Sequence, residues 1–98
     1  MRVDRTTDAA AQIREEALWW RRNRTSAPTL FRDELRRALA LIAEFPEAGP
    51  LAEDVELRGV RRILLALTQH YLYYRVGIEA NRIEVLALWS THRGTPPL

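Results

Sequence analysis

Apolar residues recur along this chain with two different periods, and the change falls near Pro46. Before it, Ala10, Ile13, Ala17 and Trp20 stand three or four apart, the spacing that puts side chains on one face of an α-helix. This predicts a helix over residues 7–23, with Thr7 as its cap and Asp8 in the first turn, where a carboxylate meets the positive end of the helix dipole. Gln12, Arg14, Glu15, Glu16 and Arg22 fall off the stripe and read as the wet face. A second stripe, Phe31, Leu35, Ala38, Leu39, Ile42 and Phe45, predicts a second helix with Ser26 as cap and Pro28 in its first turn. Pro46 ends it near Glu44, because the residue before a proline avoids the α region. So short a turn between two such helices makes an αα-hairpin.

Beyond residue 58 the pattern changes to runs of β-branched and aromatic residues, at 60–67, 71–76 and 83–89. The breaks between them, Thr68-Gln69-His70 and residues 77–81, are too short for a crossover, so the runs form an antiparallel meander. Residues 1–5, with Val3 between charged neighbours, are assigned as an N-terminal edge strand. The order β-α-α-β-β-β predicts an α+β fold in which a helical hairpin packs on one face of a small, mainly antiparallel sheet, as a single domain over residues 1–98.

Within the meander, both faces are apolar. Ile63 and Leu65 oppose Leu64 and Ala66, Leu72, Tyr74 and Val76 oppose Tyr71, Tyr73 and Arg75, and Val85 and Ala87 oppose Leu86 and Leu88. Two helices cover one face, and the tail 95–98 is too short to cover the other. Large apolar patches are seldom left to water, so Leu64, Tyr71 and Tyr73 are expected to lie beneath a protein partner. The plainer alternative leaves the tyrosines, with their polar tips, at a wet surface.

Composition narrows the chemistry. With 0 Cys there is no disulfide, thiolate metal site or thiol nucleophile. His70 and His92 fall in different loops without ligand spacing, so neither a metal nor any other cofactor is expected. The start of the chain leads into no apolar signal segment and no run is long enough to span a membrane, which points to the cytoplasm. All 15 basic residues are Arg, as a GC-rich coding sequence would produce, and a net charge of +2 does not by itself imply nucleic acid. The meander does bring Arg62, His92 and Arg93 to one end, the residue types a metal-free ribonuclease needs to stabilise phosphorane charge and move protons.

Several short segments, in their order and spacing, carry a family likeness: Ser26-Ala27-Pro28 with Phe31 and Glu34-Leu35, then Leu41-Ile42 with Phe45-Pro46 and Gly49. The likeness continues in GVRRILL from Gly59, YYRV from Tyr73 and IEVLALW from Ile83, closing on Arg93-Gly94. On these the chain resembles the RelE/ParE superfamily, the toxin halves of bacterial type II toxin–antitoxin pairs, and is nearer the ParE type. The resemblance implies a cognate antitoxin as partner and one of two actions: ribosome-dependent mRNA cleavage for RelE-type members, or action on DNA gyrase for ParE-type members. The positions matching the RelE nuclease set keep Arg62 and Arg93, but Leu64 stands where a second base would be, Tyr71 replaces an Arg, and no Tyr or His follows Arg93. At the ParE-type end, Ser90 replaces a usual His and His92 a frequent Arg. The resemblance therefore implies a gyrase-directed toxin, not an enzyme, with Leu64, Tyr71, Tyr73, Trp89, His92 and Arg93 meeting protein partners and with direct nucleic-acid binding unexpected. The alternatives are an mRNA interferase using Arg62, His92 and Arg93, or a family member that has lost toxicity.

Overall fold

A computed structural model describes all of residues 1–98. Its elements follow the expected order: β1 (Arg2–Arg5), α1 (Thr7–Asn23), α2 (Leu30–Glu44), β2 (Val60–Leu65), β3 (His70–Gly77) and β4 (Arg82–Ser90). They form one four-stranded sheet in the order β1-β4-β3-β2. β1 lies parallel to β4, and the remaining pairs are antiparallel. No helix is long and apolar enough to cross a membrane.

The main core lies between the helical hairpin and the sheet. Ala9 and Ile13 from α1, with Phe31, Leu35, Ala38 and Ile42 from α2, pack on Leu65, Leu72, Tyr74, Ile83, Val85 and Leu88. The second stripe ends at Ile42, because Phe45 is already the cap where the chain leaves the helix and is 56% exposed. The helix starts also differ from expectation. Thr6, not Thr7, caps α1, its hydroxyl accepting from the Ala9 N–H at 3.1 Å. Strand pairing ends at Arg5, and Thr6 is anchored by its own N–H to the Val85 carbonyl at 3.0 Å, so the helix begins immediately. α2 starts at Leu30 rather than near Ser26: Pro28 and Thr29 form a turn closed by Leu30 N–H to the Ala27 carbonyl at 3.3 Å, and the helix is entered through Asp33 N–H to the Thr29 carbonyl at 2.9 Å. Gln12 leaves the wet face: its Oε1 accepts the Leu88 N–H at 2.9 Å, on the edge of β4 that β1 no longer reaches.

Alternation fails in β4 for a definite reason. Tyr73 pairs with Ala87 and Tyr74 with Val85, so Leu86 is an extra residue, a β-bulge. Leu86 and Ala87 consequently pack into one cluster on the far face, while Leu88 turns back to the helices. The expected sharing of one face by Val85 and Ala87 and of the other by Leu86 and Leu88 is overturned by that single inserted residue, although Leu88 still opposes Ala87.

The far face is not bare. Val60, Tyr73, Leu86 and Ala87 form a second small core beneath Ala52, Val55 and Leu98. The loop between α2 and β2 runs along the outer edge of β2, with Ala52 N–H to Val60 O at 2.8 Å and Arg62 N–H to Pro50 O at 3.0 Å, and it accepts the tail through Glu56 N–H to Leu98 O at 3.1 Å. Where this loop leaves α2, Tyr74 donates to the Pro46 carbonyl at 2.7 Å and accepts the Gly49 N–H at 2.9 Å, while Arg61 donates to the Gly49 carbonyl at 2.8 Å. A Cβ on Gly49 would stand 2.6 Å from the Arg62 carbonyl oxygen and 2.9 Å from the Tyr74 hydroxyl, closer than contacting atoms permit. Gly49→Ala should therefore cost about 2–3 kcal/mol through overpacking and a displaced hydrogen bond, read as a lower denaturant midpoint at unchanged slope.

Candidate functional site

On the far face the strand register sets two rows side by side. Leu64, Tyr71 and Trp89 form one row across β2, β3 and β4, and Arg62, Tyr73 and Ala87 form the next. Two guanidinium groups lie on aromatic faces beside them. Arg62 sits 4.0 Å from the Tyr71 ring centre, and Arg93, folded back from the turn after β4, sits 4.0 Å from that of Trp89. Between them is a shallow cavity of about 250 Å³.

Charge is distributed unevenly around that cavity. Asp54, reaching in from the covering loop, accepts from the Tyr73 hydroxyl at 2.7 Å and from Arg62 Nη1 at 3.1 Å. Burial, followed by the hydrogen bond to Asp54, pushes the Tyr73 phenol up to about 12. It is therefore locked in its protonated form and is a poor proton shuttle near neutrality. Arg62 is neutralised by the same carboxylate, whereas Arg93 has no carboxylate within ion-pair distance. The turn bearing Arg93 is held by Trp89 Nε1–H to Gly94 O at 2.7 Å and Arg93 N–H to Ser90 O at 3.1 Å.

The residues singled out from the sequence divide accordingly. Arg62 and Arg93 line the same cavity with Tyr71, Tyr73 and Trp89. His92 does not join them: it is exposed on the turn, outside the cavity lining, with its backbone N–H on Ser90 Oγ at 3.2 Å. Leu64 is 46% exposed at the edge, but Tyr73 is only 1% exposed, because the loop after α2, together with the tail that looked too short, already covers it.

Two further features escaped the sequence reading. A groove of about 450 Å³ runs between α1 and α2, floored by residues such as Ile13 and Leu35 and rimmed by Arg5, Arg14, Arg21, Arg32 and Arg36, with no acidic residue in its lining. Its signal was present, since Arg14/Arg21 and Arg32/Arg36 repeat at helical spacing beside the apolar stripes. The second feature is a polar network between helices and sheet. Buried Glu34 accepts from Leu67 N–H at 2.7 Å, Thr68 N–H at 3.0 Å and Thr68 Oγ1–H at 2.7 Å. His70 is not a loop residue but the buried start of β3, with Nδ1 3.2 Å from Thr68 Oγ1 and Nε2 3.3 Å from Glu16 Oε1. Thr68 has one hydroxyl proton and gives it to Glu34, so a bond from His70 to Thr68 uses a proton on Nδ1 and a bond to Glu16 uses one on Nε2: the neutral ring makes one of the two, and the imidazolium makes both.

Burial holds the His70 imidazole below its ordinary value of 6.5, with Glu16 opposing that shift. A folded state that binds this proton less tightly than the unfolded chain has its full stability above the unfolded value and loses it as the pH falls. Chemical denaturation should accordingly show stability declining as the pH is lowered from about 6.5, with the slope reduced in His70→Gln. A slope unchanged by that substitution would assign the decline to other groups.

The family described as the ParE toxin of type II toxin–antitoxin systems, parDE, matches residues 3–94 of this chain. No curated protein matches its sequence. Among solved structures, the chromosomal ParDE toxin–antitoxin system of P. aeruginosa is similar with a TM-score of 0.71 at 18% identity, over 94% of this chain and 97% of that one. The isolated RelE toxin of E. coli aligns at 0.64 and 21% identity, covering 95% and 86%. The intact E. coli RelBE toxin–antitoxin complex aligns at 0.60 and 21%, covering 94% and 98%.

Proposed function

Because the chain belongs to the family of ParE toxins of type II toxin–antitoxin systems, we propose that it inhibits DNA gyrase through its 89–93 end and is neutralised by a cognate antitoxin. The observation that carries this reading is the contrast between the two stacked cations. Arg62 is neutralised by Asp54, Tyr73 is locked protonated and His92 lies outside the cavity, so the residues an RNA-cleaving site needs do not assemble. Arg93 on Trp89 remains, a forked cation on an aromatic anchor, the residue types that dominate protein–protein hot spots. Growth arrest in the cytoplasm, where gyrase acts, is the consequence. The test is purified protein in gyrase supercoiling and ribosome-dependent mRNA-cleavage assays side by side. Supercoiling should stop and message should stay intact. Cleavage that disappears in Arg62→Ala or His92→Ala would replace this reading by the interferase one.

The antitoxin is the partner for what the chain leaves uncovered. On the sheet these are Leu64, Tyr71 and the edge of Trp89. On the helices, the groove's apolar floor and five-arginine rim complement an acidic amphipathic helix, a pairing that weakens as salt rises. The product of the adjacent open reading frame is the candidate to measure.

A further inference from the structure

We propose that Glu34 of α2 is a positioning residue for the 89–93 end, fixing the turn between β2 and β3 that in turn fixes Thr91. The proposal rests on the reading that this end meets the target. A carboxylate only 8% exposed in a small core is costly unless its lone pairs are filled. Glu34 has no cationic partner within ion-pair distance. All three of its donors come from two consecutive residues of one turn, the N–H groups of Leu67 and Thr68 and the Thr68 hydroxyl. It is spent entirely on holding that turn.

The turn needs holding. Gln69 has φ 61, a left-handed conformation that residues with side chains disfavour. Its N–H bonds the Leu65 carbonyl at 2.8 Å and its side-chain amide bonds the Ala66 carbonyl at 2.7 Å, which tightens the same loop from the other side. So held, Gln69 presents its carbonyl to the Thr91 N–H at 3.0 Å and its Oε1 to the Thr91 hydroxyl at 3.3 Å. These bonds matter because the β3–β4 ladder stops at His70 and Ser90. Beyond Ser90, the chain carrying Arg93 is tied to the sheet at Thr91 through Gln69 and at Gly94 through the Trp89 indole, and Gln69 is placed by the turn that Glu34 grips. His70, its ring set between Glu16 Oε1 of α1 at 3.3 Å and Thr68 Oγ1 at 3.2 Å, places α1 against the same turn.

A merely structural Glu34 and a positioning Glu34 respond differently to Glu34→Gln, where an amide nitrogen faces one of the donors. Hydrogen exchange on the full-length chain, at a temperature where circular dichroism shows the variant folded, is the direct readout. Exchange of the Thr91 amide should rise at least tenfold more than that of amides inside β3, the Trp89 indole N–H resonance should move, and gyrase inhibition per folded molecule should drop at least tenfold. Equal acceleration at Thr91 and within β3, with inhibition per folded molecule unchanged, overturns the proposal. Should Glu34→Gln not fold, Gln69→Ala removes the side-chain bonds to the Ala66 carbonyl and the Thr91 hydroxyl that set the Gln69 carbonyl against the Thr91 amide, with the Glu34 site left intact. It must loosen Thr91 in the same way, and an unaltered Thr91 amide there overturns the proposal equally. A wild-type chain that leaves gyrase active defeats the target assignment instead, and the Thr91 exchange result still decides the positioning.

Discussion

Tyr73→Glu is expected to unfold the domain, with a loss of at least about 4 kcal/mol, and so cannot serve as a probe of partner binding. The ring it replaces is almost fully buried between Val60, Leu86 and Ala87 and the covering loop, and its hydroxyl donates to Asp54. A glutamate would lose that apolar packing and place a second carboxylate beside Asp54, whose partner Arg62 is already paired. Burial and like charge both oppose its ionisation, and protonating it costs stability in turn. Urea denaturation should show no cooperative transition, or one with a greatly lowered midpoint. A Tyr73→Glu protein within about 1 kcal/mol of wild type would mean that the loop opens freely and that the far face is available after all. Leu64→Glu is the informative counterpart. Leu64 is half exposed at the sheet edge, and surface substitutions of this kind usually change stability by about 0.5 kcal/mol or less. Any loss of antitoxin affinity in that variant therefore belongs to the interface.

Arg93→Ala should reduce gyrase inhibition by about thirtyfold or more while leaving the fold in place. Truncating a hot-spot arginine costs about 2 kcal/mol or more at an interface. The intramolecular loss is smaller: Arg93 is exposed, carries no ion pair, and contributes only its stacking on Trp89, roughly 0.5–1 kcal/mol. For a domain of this size that shifts Tm by no more than about 8 °C. Supercoiling assays and thermal denaturation on the same preparation separate the two quantities. Full inhibition by a folded Arg93→Ala protein would remove the target-binding site from this end. Trp89→Ala is a weaker experiment, because Trp89 also packs against the second core and bonds Gly94, so folding and function would fall together.

Much of this architecture was readable from one dimension. The helical hairpin, the three-stranded meander and the α2 stop at Pro46 follow from local rules, periodicity and backbone restriction, that act over a few residues and survive any tertiary context. Arg62 and Arg93 could be brought to one place because an antiparallel meander returns the end of its third strand to the start of its first. The family likeness rested on the order of short segments, which a shared fold preserves.

Other features depend on contacts between residues far apart in the chain. The bulge at Leu86 adds one residue to β4, and nothing in its apolar run marks which residue is the extra one, yet it decides which face Ala87 and Leu88 serve. Tyr73 looked open because the residues that cover it, Ala52, Val55 and Leu98, are scattered through an acidic loop and a short tail with no apolar period to mark a lid. Glu34 lies off the apolar stripe of the second helix in sequence, and only the β2–β3 turn brings three donors to it. His92 and Arg93 are neighbours of equal promise in sequence, and only the turn after β4 directs one out to solvent and the other onto Trp89. The sequence by itself determined the elements, their order and their family, because those depend on local preferences. Tertiary structure alone decided which face is free, which cation is neutralised and which side chain is presented, because each depends on a partner that arrives from elsewhere in the chain.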